Sequence, residues 1–331
     1  MRAAMADAEV GDDVFDEDPT MHRLQDTLAE MLGKEAALFV PSGTMSNQIG
    51  VRIHCKAGDE FLCEENCHIF QYEQGAFAQL SGLVARTVLG EAGVLRQDQL
   101  TDLVRGGDDH VVETRLVSLE NTHNRGGGRI FPLDEIESIC AWAHEKGLAT
   151  HLDGARLFNA VVATGIEAGE WASHFDTVSV CFSKGLGAPV GSALAGPKEM
   201  IREARRHRKL FGGGMRQAGV IAAGALYALE NHVERLVDDH EAAQVLAEAV
   251  SEIDGLTLRG GRVDTNIVIF EVDPALGTEA DLVERLEAEG VLAIDIGPRA
   301  VRFVTHLDVT LDDAKQAADV LRRVAVPIGA Q

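Results

Sequence analysis

Residues 21–33, MHRLQDTLAEMLG, set Met21, Leu24, Leu28 and Met31 at spacings of three and four. That period predicts a helix buried along one face, and Gly33 is placed to end it. The uninterrupted apolar run EAALFV follows and reads as a buried strand, and PSGTMSNQIG after it reads as a turn opening a second helix. RLVSLEN (115–121) is another strand. LDEIESICAWAHEKG returns to the helical period, with Ile136, Ile139, Cys140 and Ala143 facing inward and Gly147 just past the end. LATHLDGAR and DTVSVCFSK are two more buried strands. Strand, helix and strand within about forty residues form a βαβ unit, which requires a parallel pair with the helix crossing between.

Near residue 231 the pattern changes. An acidic helical stretch (232–253) leads into TNIVIFEV, EADLVERLEAEG, AVRFVTH and DDAKQAADVLRRV. The expectation is an α/β protein with two parts. Residues 1–230 form a large domain on a mostly parallel central sheet. Residues 231–331 form a smaller α+β domain, and a helix near 218–250 joins the two.

Composition narrows the function classes. A chain of 331 residues, 46% hydrophobic, suits one large domain plus a small one. Its formal charge of −23 repels nucleic acid and anionic membrane, so neither is expected as a partner. No window has the apolar length of a membrane-spanning helix, and the opening MRAAMADAEV is too short and too weakly apolar for an export signal. Cys55, Cys63, Cys67, Cys140 and Cys181 are an odd number without framework spacing, which points to reduced thiols in a cytoplasm.

Ligands of open parallel sheets sit at the carboxyl ends of the strands. Polar residues gather at such ends here: Ser42, Gly43 and Thr44; Glu120, Asn121 and His123; Asp153 and Arg156; Ser183 and Lys184. Taken singly, Asp153 reads equally as a helix or turn cap, and Lys184 as a surface lysine. Together they meet the needs of pyridoxal 5′-phosphate. SGT at a helix start offers backbone N–H groups to a phosphate, a lysine amine condenses with the aldehyde, and a carboxylate keeps the pyridine nitrogen protonated. The small residues of GLGAPVGS after Lys184 leave room for a ring.

Seven blocks in one order, VGDDVFDEDPT, GKEAALFVPSGTMSNQ, ENTHN, HLDGARLFNAVVATG, SKGLGAPVGS, GGGMRQAG and VRFVTHLD, resemble the L-threonine aldolases, fold-type I pyridoxal-phosphate enzymes of the aspartate aminotransferase superfamily. The resemblance runs from about residue 10 to the C-terminus. It implies that Lys184 bonds to the cofactor and that Asp153 pairs with the pyridine nitrogen. Gly43 and Thr44 match the phosphate loop, and His68 the histidine that stacks on the ring. Arg156 and Arg302 match ligands of the substrate carboxylate, Arg302 coming from the small domain. His123 matches a histidine near the substrate hydroxyl. Lys209 and Arg216 match basic residues near the site, one of them expected to reach a neighbouring subunit's phosphate. His68, His123 or a water they hold is the expected base.

The activity so implied is cleavage of L-threonine or L-allo-threonine to glycine and acetaldehyde, with low specificity among β-hydroxy-α-amino acids. A β-eliminating lyase, a serine hydroxymethyltransferase-like enzyme or a weakly active cofactor-binding protein are the alternatives, since one scaffold hosts many reactions. The family resemblance also implies a homotetramer built from dimers. Family members carry a segment like DLRSDT well before VGDDV, whereas this chain starts ten residues before Gly11, so weaker substrate binding is expected. CEENCH (63–68) has no second ligand pair downstream, so no metal is expected. NRGGGR (124–129) reads as a flexible connection rather than a nucleotide loop.

Overall fold

The computed structural model describes residues 1–327. Seven strands form its central sheet: β1 (Ala36–Val40), β2 (Glu60–Glu64), β3 (Val84–Val88), β4 (Thr114–Glu120), β5 (Ala149–Gly154), β6 (Thr177–Cys181) and β7 (Ser192–Gly196). Their order across the sheet is β1-β7-β6-β5-β4-β2-β3. Only β7 runs against its neighbours, so the other six point the same way. The loops after β1, β2, β4, β5 and β6 therefore open on one edge of the sheet. That edge receives Gly43, His68, His123, Asp153 and Lys184.

The helices cover the sheet as the apolar periods require. Helix Pro19–Met31 buries Met21, Leu24 and Leu28, and helix Leu133–Glu145 buries Ile136, Ile139, Cys140 and Ala143. Helix Gly43–His54 departs from the rule, because Ser46, Asn47 and Gln48 lie on its buried side. The α/β class and mostly parallel sheet match the expectation. The periodicity had not marked β2, β3 or β7. β3 is half-exposed at the sheet edge, and β7, SALAG, is made of small residues with little strand preference.

Strands β8 (Leu256–Leu258), β9 (Ile267–Val272), β10 (Ile294–Asp295) and β11 (Ala300–Val304) form a second, antiparallel sheet. Val268, Phe270, Val301 and Phe303 pack with helices Leu236–Glu252, Glu279–Ala288 and Leu311–Val324 in a separate core. Strand alternation puts Arg302 on the opposite face of β11, away from that core. The single helix expected near 218–250 is two, Gly219–Asn231 and Leu236–Glu252.

One reading is corrected. NRGGGR is not a flexible connection but a tight, buried turn. His123 and Arg129 pair across it, and Arg129 is held by Asp264 at 3.2 Å. A Cβ at Gly126 would stand 2.1 Å from the Ala92 carbonyl oxygen, and one at Gly128 2.4 Å from Thr265 Oγ1. The glycines are there because other chain segments pass too close for side chains.

Candidate active site

Lys184 follows β6 on a turn closed by the Gly187 N–H donating to the Lys184 carbonyl at 2.8 Å. Its side chain is half-buried, and among the described residues its amine has no hydrogen-bond or ion-pair partner. With Arg156, Ser183, Asn266 and His306 it lines a cavity of about 380 Å³. Arg156 stands just after β5, and its Nε is buried without a partner. Arg302 reaches toward the same region from β11 of the antiparallel sheet, and its Nη1 donates to Asn124 Oδ1 at 3.0 Å. Enclosure by protein, and then the charge of Arg302, lower the pKa of Arg156 below the ordinary guanidinium value. Among the described residues neither guanidinium is ion-paired to a carboxylate, so both are available to an anion.

Asp153 closes β5 and is 4% exposed. Its Oδ2 accepts from Asn47 Nδ2 at 2.7 Å and its Oδ1 from the Ala155 N–H at 3.1 Å. Burial opposes its ionisation, but the charges of Lys184 and His68 and the Asn47 amide outweigh that and hold its pKa below the usual carboxylate value. His68 opens the short helix His68–Gln71. Its backbone N–H donates to Glu120 Oε2 at 2.6 Å, and its Nδ1 lies 2.8 Å from Glu73 Oε1. Burial pulls the His68 pKa down. Glu73 and Asp153 more than reverse that, so the net direction is upward.

His123 is placed differently. It is 1% exposed, its Nε2 lies 3.1 Å from Glu64 Oε2, and its Nδ1 receives the Gly126 N–H at 3.0 Å. Both ring nitrogens thus have protein partners, whereas His68 keeps Nε2 without one among the described residues. Glu120 ties the two histidine loops together, since its Oε1 also accepts the Asn124 N–H at 2.8 Å.

Gly43 and Thr44 begin helix Gly43–His54, with Ser42 as its N-cap accepting from the Met45 N–H. The first-turn N–H groups point out of such a helix start with no intrahelical acceptor, and they favour an anion. Lys209 is exposed. Arg216 is bound to Asp12 at 2.7 Å over the Phe15 ring, with most of its side chain exposed. Neither lines the cavity beside Lys184.

The motif reading passed over Asn47, Gln48 and Glu73. Glu73 is buried and accepts from Asn47, Gln48 and His68. The available signal was the polar run SNQ on a helix face that packs against a sheet.

A profile of the family described as beta-eliminating lyase matches residues 1–275. A probable low-specificity L-threonine aldolase 2 of Arabidopsis thaliana is 43% identical, over 98% of this chain and 93% of the relative. The low specificity L-threonine aldolase of Escherichia coli K12 is 41% identical, over 96% of this chain and 93% of the relative. Among solved structures, a putative L-allo-threonine aldolase of Listeria monocytogenes superposes with a TM-score of 0.82 at 22% identity, covering 98% of this chain and 93% of the other. A Leishmania major threonine aldolase gives 0.81 at 21%, covering 94% and 91%. At these identities the solved structures speak for the fold.

Proposed function

The chain belongs to the beta-eliminating lyase family, among the low-specificity L-threonine aldolases, and from that premise we propose the working of its site. It is a pyridoxal 5′-phosphate-dependent lyase that cleaves L-threonine and L-allo-threonine to glycine and acetaldehyde. The observation that carries the reading is a pair of cations, Lys184 and Arg156, that have no side-chain partners among the described residues and stand on the walls of one cavity.

The residues present fit the cofactor. Lys184 offers a free amine, Asp153 an ionised carboxylate, and the start of helix Gly43–His54 unpaired N–H groups for the phosphate. When bound, pyridoxal phosphate supplies an aldehyde that takes up the substrate amine and a ring that accepts electrons.

The chain's own residues supply the rest. Arg156 and Arg302 hold the substrate carboxylate between them, which sets the rotation about Cα and so selects the bond that breaks. Asp153 keeps a proton on the ring nitrogen. Retro-aldol cleavage takes the β-hydroxyl proton, breaks Cα–Cβ so that acetaldehyde leaves, and returns a proton to Cα. His68 Nε2, or a water that the two histidines hold, receives the hydroxyl proton. His123 is fixed by Glu64 and Gly126 and acts through that water. Both threonine epimers are taken as substrates, in keeping with the low-specificity aldolases to which the chain is similar.

In this reading the chain works as a homotetramer in the cytoplasm, with two domains meeting near residue 231. One of Lys209 and Arg216, both largely exposed, reaches a neighbouring subunit's phosphate. Among the described residues no helix is long and apolar enough to cross a membrane.

The test is a spectrum of the purified protein with added pyridoxal phosphate, then L-threonine, with acetaldehyde assayed in the same cuvette. A new absorption band on cofactor addition, followed by acetaldehyde, is expected. Pyruvate from serine with no acetaldehyde from threonine would move the assignment to β-elimination.

Arg156→Ala is expected to raise KM for threonine by about 10²-fold, because charge-assisted hydrogen bonds contribute about 1.5–3 kcal/mol each. Arg156→Lys should recover only part of this, since lysine lacks the planar fork. Steady-state kinetics with glycine as competitor checks it. An unchanged KM with a reduced kcat would remove Arg156 from carboxylate binding.

A further inference from the structure

A chain of hydrogen bonds leads from Asp153 through the interior of the large domain, and its direction can be worked out link by link. Asn47 Nδ2 lies 2.7 Å from Asp153 Oδ2 and 2.8 Å from Glu73 Oε1. Both are carboxylate oxygens, so the amide presents its two protons there and its oxygen on the other side. Asn47 Oδ1 is 3.3 Å from His151 Nε2, which must therefore carry the proton. His151 Nδ1 is then a lone pair, 2.9 Å from Thr177 Oγ1, and the hydroxyl donates to it. With its one proton so committed, Thr177 Oγ1 accepts from His54 Nε2 at 2.8 Å. Every link donates toward Asp153.

The surroundings show that the arrangement is built. Asn47, His151 and Thr177 are each at most 2% exposed. His151 and Thr177 are register partners on β5 and β6. Asn47, Gly50 and His54 lie on one face of helix Gly43–His54, turned toward them. A Cβ at Gly50 would stand 2.5 Å from His151 Cε1. A glycine inside a helix is destabilising relative to alanine, and here it makes the space that the imidazole occupies. Burial pushes the pKa of His151 down to about 3 and that of His54 down to about 4, so both rings are neutral at ordinary pH. His151 faces His54 and Asp153, His54 faces Asp176 and Glu203, and Asp153 faces Lys184 and His68. The chain therefore carries aligned dipoles and no net charge.

Resting on the function proposed above, we propose that His54, Thr177 and His151 are positioning residues whose hydrogen bonds, aligned through Asn47, keep the buried Asp153 anionic and so keep the cofactor's ring nitrogen protonated. They never touch the substrate. They act through Asp153 by orienting donors in a site that water does not reach.

The experiment has two arms. In the unmutated protein, ¹⁵N NMR of selectively labelled histidine reads the His151 tautomer directly. The neutral Nε2–H form is expected, and an Nδ1–H form or a cation would overturn the proposal. In the second arm, Thr177→Val removes the hydroxyl at nearly constant volume and Thr177→Ser restores it. With ¹⁵N-labelled pyridoxal phosphate bound, the ring-nitrogen titration of Thr177→Val is expected to move by about one pH unit, a tenfold change in proton affinity. kcat should fall several-fold at unchanged KM, and Thr177→Ser should return both toward wild type. A Thr177→Val protein that binds cofactor with an unshifted titration and wild-type kcat would overturn the relay and leave the aldolase assignment standing. Failure of the unmutated protein to bind the cofactor would overturn both.

Discussion

Lys184→Ala is expected to stop acetaldehyde release from threonine, with turnover falling by about four orders of magnitude or more, the scale seen when a covalent catalytic group is removed. The lysine stands at the end of β6 on a hydrogen-bonded turn, lining the cavity with Arg156, and no carboxylate of the described chain holds its amine. A lysine committed to an ion pair would have to break it before reacting, and this one has none. Its charge also helps keep Asp153 ionised, so alanine removes two things at once. Lys184→Arg separates them, because it keeps the positive charge but cannot condense with an aldehyde. Both variants are expected to be inactive, and both should lack a cofactor–peptide adduct on mass spectrometry after borohydride reduction. Turnover of Lys184→Arg within tenfold of wild type would show that the charge alone matters and that the covalent role belongs elsewhere.

Much of this site was legible in the chain. Strand ends are where an open parallel sheet binds ligands, and the apolar runs ending at Asp153 and Ser183 mark two such ends without any structure. The helical periods read in 21–33 and 133–147 placed their inner faces, with Met31 alone left partly buried, since burying one stripe is what forms those helices. The resemblance added roles that spacing alone could not give to Arg302, more than a hundred residues from Lys184.

What stayed hidden is polar and buried. Asn47 and His151 lie inside blocks of the resemblance but carry no role there, Glu73 lies outside those blocks, and each gains meaning only from partners brought by other elements. His151 alternates with Leu152 on β5 like any strand residue, so its ring reads as core until Gly50 is seen to make room for it. NRGGGR failed for a related reason. Glycines mark flexible loops and crowded backbones alike, and only the approach of Ala92 and Thr265 distinguishes the two.

Asp153→Asn is expected to lower kcat by about 10²–10³-fold, the range for losing one preorganised charge-stabilising group in a water-poor site. The change is nearly isosteric but not electrically neutral. Both carboxylate oxygens accept N–H groups, from Asn47 and from Ala155. An amide turns its own NH₂ toward one of those donors and no longer carries the negative charge that holds a proton on the ring nitrogen. Asp153→Ala lacks the donor clash and serves as control, so a common loss in both variants isolates the charge. The pH dependence has a defined sign. Burial opposes the charge on Asp153, but Lys184, His68 and Asn47 hold its pKa below the ordinary value of 3.8. The stability this contributes is complete above that ordinary value and fades as pH falls through the lowered one. Wild type should therefore lose this increment only in acid, and Asp153→Asn should show a flatter stability profile there in chemical denaturation at stepped pH. If Asp153→Asn kept kcat within about threefold of wild type, the ring-nitrogen partner would have to be another group. Glu73, the second buried carboxylate on the Asn47 amide, would be the next residue to change.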